Sequence, residues 1–174
     1  SIDIQVTFDP TGIDQPGIYQ AFLKVDNDTP YLLADVPVSL HVQRPLNYGT
    51  IKGNVSVYEH CDVNPTLYEN AIVNFYRNDE LVSSILTKNE GLFSNSLING
   101  TYDVEVVIDG YQTKTETNIE LGWNEDITLD FALRLLAPCL TFTPQSFYQE
   151  LPPGGSTTQT MTFLNTGTVE IGIE

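Results

Sequence analysis

Positive charge is scarce in this sequence. Seven Lys and Arg face 23 Asp and Glu over 174 residues, a formal net charge of −16. Nucleic acid and anionic membrane both demand a basic footprint, so neither is expected as a partner. Long apolar runs are missing too: nothing approaches the ~20 residues that cross a bilayer, which argues against membrane insertion. The first residues carry no leader pattern, so any targeting segment is expected outside this stretch. Histidine occurs twice, as His41 and His60, which leaves little choice of a conventional catalytic base. Cysteine also occurs twice, at Cys61 and Cys139, with no C-x-x-C spacing for zinc or redox work. The two could bridge in an oxidising compartment, and the sequence leaves that open.

Helical periodicity is absent as well. Alternation of apolar and polar residues takes its place. Ile2, Ile4, Val6 and Phe8 alternate with Asp3, Gln5 and Thr7, and Tyr19 to Val25 and Val36 to Val42 repeat the pattern. Period two with polar partners predicts strands buried on one face. Turn-rich punctuation, "DPTGIDQPG" and "DNDTP", lies between them. Further strands are expected over Ile51 to Val57, Ala71 to Phe75 and Leu81 to Thr87. Tyr102, Val104, Val106 and Ile108 should form a buried face, as should Ile127, Leu129, Phe131 and Leu133. Asn99-Gly100 and Asp109-Gly110 predict two hairpin turns, with Tyr111 at a corner. The composition, 41% hydrophobic and 10% aromatic, supplies a core. The expected class is all-β, an Ig-like or prealbumin-like sandwich. Arg44-Pro45 and Ala137-Pro138 break the pattern, which divides the chain into 1–44, 45–136 and 137–174.

The middle segment resembles a carboxypeptidase regulatory-like domain, a small prealbumin-type sandwich. "GTIKGNV", "ENAIVNFY", "TKNEGLFSNSLINGTYDVEVVIDGYQT" and "ITLDFAL" carry the likeness. Leu97-Ile98-Asn99 and the insert around Cys61 depart from the family pattern. The flanks resemble two halves of Ig-like modules repeated in secreted bacterial proteins. The first is "TFDPTGIDQPGIYQAFLKVDND…VPVSLHV" and the second "LTFTPQSFYQELPPGGSTTQTMTFLNTGT". The resemblance implies an extracellular or cell-surface bacterial chain of many modules, behind a subtilisin-like peptidase domain or in an adhesin. Its partners would be neighbouring domains. Each flank has about 40 residues, too few to bury a core alone. Residues 138–174 followed by 1–44 would read as one complete module, so the two halves are expected to complement each other. Parallel first and last strands would put the ends of the middle domain at opposite poles and favour pairing between chains.

The candidate sites are few. Cys61 beside His60 suggests a thiol nucleophile, but adjacent residues on an extended chain point apart, and a solvated loop is the simpler reading. No catalytic residue or cofactor is therefore expected. "DNDTP" spaces two acids by two residues, so Asp26 and Asp28 are the calcium ligands to consider. A turn bonding its own backbone explains them as well, and a closing bidentate acid is missing. Lys52 and Asp130 could approach one another across neighbouring strands, but both fall on the polar side of their alternation. An exposed ion pair, not a cross-link, is the expectation there. Trp123 and Tyr111 are the aromatics to consider for stacking on a sugar, against plain packing at the sandwich ends.

Overall fold

The computed structural model describes residues 3–13, 15–26, 30–31 and 33–172. Its centre is a sandwich of two sheets. The first is built on the longest strand, β3 (Tyr48–Tyr58), which follows β1 (Gly17–Leu23) and β2 (Val36–Val42) of the head segment. β4 (Thr66–Leu67) and β7 (Leu92–Ile98) join β3 antiparallel. The second sheet runs in the order β6 (Glu80–Leu86), β5 (Ile72–Arg77), β8 (Gly100–Val107) and β9 (Lys114–Leu121). Back in the first sheet, β10 (Asp126–Thr128) and β11 (Phe131–Arg134) pair with β3 parallel, Asp126 opposite Thr50 and Arg134 opposite Tyr58. The described residues are all-β, apart from a single short 3-10 turn at Asn89–Gly91.

The alternation in the sequence explains the core. Ile51, Val55 and Val57 of β3 face Val73 and Phe75 of β5 and Tyr102, Val104 and Val106 of β8, all buried. Phe93 sits between Phe75 and Phe131, with ring centroids 6.4 Å and 6.2 Å away. Burying each such side chain contributes roughly 1.5–3 kcal/mol. The expected face of Ile127, Leu129, Phe131 and Leu133 is real, but not as one strand. At Leu129-Asp130 the chain leaves the ladder, and Asp130 Oδ1 accepts the Asn54 N–H at 2.9 Å.

Two expectations are corrected. Asn99-Gly100 does not close a hairpin. β7 pairs with β3 and β8 pairs with β5 and β9, so this dipeptide carries the chain from one sheet to the other. Asp109-Gly110 does turn a hairpin: Tyr111 N–H donates to Ile108 O at 3.1 Å, and Gly110 takes φ +78°, open to glycine without strain. The opening alternation, Ile4 to Phe8, pairs with no described strand. Period two prepares a segment for a sheet, and a ladder still needs a partner at its edge.

The flanks form separate hairpins. β1 pairs with β2, and β12 (Leu140–Thr143) pairs with β13 (Thr162–Asn165). The two do not join each other into one sandwich among the described residues. Cys139 is the only described hydrophobic residue buried outside the central sandwich. Ile18 and Phe22 of the head are 62% and 66% exposed, and Leu164 of the tail is 58% exposed. A lone two-stranded ribbon has no second sheet to cover it. Val6 and Phe8 border a cavity with Tyr19, Ala21, Val38 and Leu40 on one face of the head ribbon, and Ile18 and Phe22 on the other face stay open.

Candidate interaction surfaces

Parallel pairing separates the exits of the sandwich. The head enters at Tyr48, the start of β3. The tail leaves after Arg134, opposite Tyr58 at its end. Eleven extended residues span about 35 Å, so head and tail emerge at opposite poles.

At the head pole, Arg44 is the fastening. Its guanidinium donates to Thr50 Oγ1 (2.7 Å), Asp126 Oδ1 (2.8 Å) and Asn124 Oδ1 (2.6 Å). Lys52 Nζ reaches the other Asp126 oxygen at 3.1 Å. The Arg44 guanidinium, and after it the Lys52 ammonium, hold the Asp126 carboxyl below the usual carboxylate range. The expected ion pair of Lys52 is thus real, but its partner is Asp126. Asp130 is taken by the Asn54 backbone. Gln15 is a second anchor. Its carboxamide donates to Ser96 O at 3.2 Å and accepts from Ser96 N–H at 2.8 Å.

At the tail pole, Cys61 and Cys139 form a disulfide with Cα atoms 5.3 Å apart. This rules out Cys61 as a free thiol nucleophile beside His60. Thr168 Oγ1 donates to Leu135 O at 2.7 Å, and Asn165 Oδ1 accepts from Cys139 N–H at 3.0 Å. Gly167 lies against this junction, where a Cβ would meet Ala137 O at 2.3 Å. The Arg134 guanidinium stacks over the Tyr58 ring, 4.5 Å from its centroid. A cavity of about 150 Å³ beside the disulfide is lined by His60, Asp62 and Arg134 among others. It is below the size of ordinary ligand sites, roughly 300–1,000 Å³.

The remaining candidates scatter. Tyr111 is partly buried at the tail pole, bridged to Leu135 and tilted against Tyr68 at 5.9 Å. Burial, then Glu59, then Tyr68, push its hydroxyl pKa up. Trp123 lies in the turn between β9 and β10, beside Tyr48 at the head pole, and is 72% exposed. The two aromatics therefore form no common shelf. Asp26 is exposed, and Asp28 lies outside the described residues. His41 is exposed on β2. Among the described residues, no three His, Cys, Asp or Glu gather as a metal site.

No family model matches the chain, and no curated protein matches it. Solved structures do. The Bacillus anthracis TIE protein is 18% identical over 87% of this chain, with a TM-score of 0.41. GBS52, the minor pilin of Streptococcus agalactiae, is 13% identical over 79%, with a TM-score of 0.40. A streptococcal ancillary pilin is 11% identical over 88%, with a TM-score of 0.36. The chain spans 35%, 66% and 61% of their respective lengths. Likeness at this level adds nothing about what the chain binds or does.

Proposed function

We propose that this chain is a non-catalytic structural module of an extracellular bacterial protein, which spaces or presents a neighbouring domain. The carrying observation is the pair of fastened poles. The head is held by Arg44 and Gln15, and the tail by Cys61–Cys139 and Thr168. A connector needs this: two exits far apart and fixed in direction. The disulfide fits an oxidising, extracellular setting. The acidic surface suits a self-repelling solvated module. The carboxypeptidase regulatory-like resemblance of residues 45–136 is part of this reading, as is a parent chain carrying a peptidase domain. The open apolar faces of the head and tail hairpins suit end-to-end contact with further modules, copies of this chain included.

Backbone relaxation by NMR tests the proposal. The amides of Arg44, Asn47, Leu135 and Cys139 should show order parameters near 0.85, like those of β3. Values below about 0.6 at both junctions would make the chain a loose string and end the spacer reading. A second reading, a carbohydrate- or peptide-binding accessory domain, is favoured by the exposed Trp123 ring. Glycan-array binding that Trp123→Ala abolishes would replace the first reading with the second.

A further inference from the structure

β6 and β7 are both sheet edges, one in each sheet, and they flank the same side of the sandwich. A cleft of about 960 Å³ opens there. Ile85 and Phe93 give it apolar walls, and Ser83, Ser94 and Asn95 give it polar ones. Two features of β7 say what kind of molecule fits.

The first is Gln15. Its carboxamide makes the donor-and-acceptor pair with Ser96 that a peptide group of an added strand would make. A side chain of the head thus stands in for a missing neighbour. Along an antiparallel strand the backbone alternates, so Ser96, Ser94 and Leu92 present their N–H and C=O to this open edge. Leu92 O is taken by Lys88 N–H at 2.8 Å, and Ser96 by Gln15. Ser94 lies between them, exposed, and its two backbone groups have no partner among the described residues.

The second is Asn95. It is 1% exposed, and its amide nitrogen donates to Ser83 Oγ at 2.9 Å. Its Oδ1 is buried and has no partner among the described residues. A buried carbonyl oxygen without a donor is costly to a fold. Asn95 is one of the residues that border the cleft, with this oxygen beneath its surface.

We infer that the β6–β7 cleft binds an extended peptide strand added to the edge of β7, and that its occupant is the opening segment, residues 3–9, of a second copy of this chain. Backbone pairing to Ser94 supplies the register. Occupancy extends to Ser96 by displacing Gln15, and a donor on the strand meets Asn95 Oδ1. The segment has the required form. Ile4, Val6 and Phe8 alternate with Gln5 and Thr7, are 63%, 47% and 50% exposed, and pair with no described strand. An added strand turns one alternate set of side chains into the cleft and the other to solvent. The site lies on the flank of the sandwich; it takes over one of the head's two anchors, Gln15, and leaves Arg44 and the tail junction in place.

A synthetic peptide, Asp-Ile-Gln-Val-Thr-Phe-Asp, tests this against isotope-labelled protein at a concentration where the protein alone is monomeric. Binding should move the amide resonances of Ser94, Asn95 and Ser96. Gln15→Ala should tighten it several-fold. Ser94→Pro removes the outward N–H at an edge position, where proline is tolerated, and should weaken binding at least tenfold. Two N-methylated peptides keep the test independent of that variant's folding. Methylation at Ile, Val and Phe and methylation at Gln and Thr should differ at least tenfold, because only one set of N–H groups faces β7. No binding, equal effects of the two methylations, or shifts centred on the β1–β2 hairpin would each overturn the inference.

Discussion

Gly53 lies directly under the backbone of Leu129. A Cβ at Gly53 would sit 1.8 Å from the Leu129 carbonyl oxygen. This is where the chain leaves β10 before re-forming as β11, so the two backbones can only come this close where a residue has no side chain. Gly53→Ala should cost more than about 3 kcal/mol, because backbone and not a movable side chain must give way. Gly110→Ala is the control. It has a positive φ but open space, and should cost about 1 kcal/mol. Urea unfolding of both variants measures the difference, and equal midpoints would refute it.

Removing the disulfide should be felt throughout the chain. Cys61 and Cys139 are 78 residues apart in sequence, so the bridge closes a long loop. The loop-entropy relation gives about 4.5 kcal/mol for a closure of that size. Cys61→Ser with Cys139→Ser, or reduction of the native protein, should lower Tm by the same amount. Calorimetry with and without reductant would show it.

Acid should loosen the head. Asp126 titrates below its unfolded value because Arg44 and Lys52 donate to its charged form. A lowered folded pKa gives stability that is present above the unfolded value, about 3.9, and fades as pH falls through the folded one. The head junction should therefore weaken below about pH 4, and Asp126→Asn should abolish that pH dependence. Following the Asp126 carboxyl carbon by NMR gives the midpoint directly. A midpoint at or above about 3.9 would contradict the assignment.

Phe93 and Phe131 at the centre should act together. Phe93 packs against Phe131 at 6.2 Å, and both are buried. Phe93→Leu and Phe131→Leu, singly and together, should give a coupling of about 0.5–1.5 kcal/mol. Strict additivity in chemical denaturation would show that the rings merely fill space.

The readable part of the fold was the part with period two and both neighbours in place. Tyr102, Val104, Val106 and Ile108 alternate, and all four are buried. Asn99-Gly100 misleads because turn chemistry specifies a reversal and not which strands flank it. The partner of β7 is β3, with paired residues 38 to 50 positions apart. The disulfide was equally hidden: only the parallel pairing of β3 and β11 brings the chain after Tyr58 beside the chain after Arg134. Trp123 and Tyr111 are 12 positions apart in sequence, but β9 carries them to opposite poles. Gln15 has no periodic signature at all, because its role comes from the β7 edge it happens to meet. Likewise, Asn95 reads as an ordinary inward position until its oxygen is found without a donor.

The Cys61–Cys139 bridge has a mechanical meaning. Tension applied between head and tail enters at the start of β3, runs along that strand to Cys61, and crosses the sulfurs to Cys139. Residues 62–138, most of the sandwich, lie outside this covalent path. A pull on the intact chain can straighten the short stretch around β3, but it cannot unravel the loop behind it. Only after reduction would the same pull draw out the strands one by one, so the bridge sets how far the chain can be stretched.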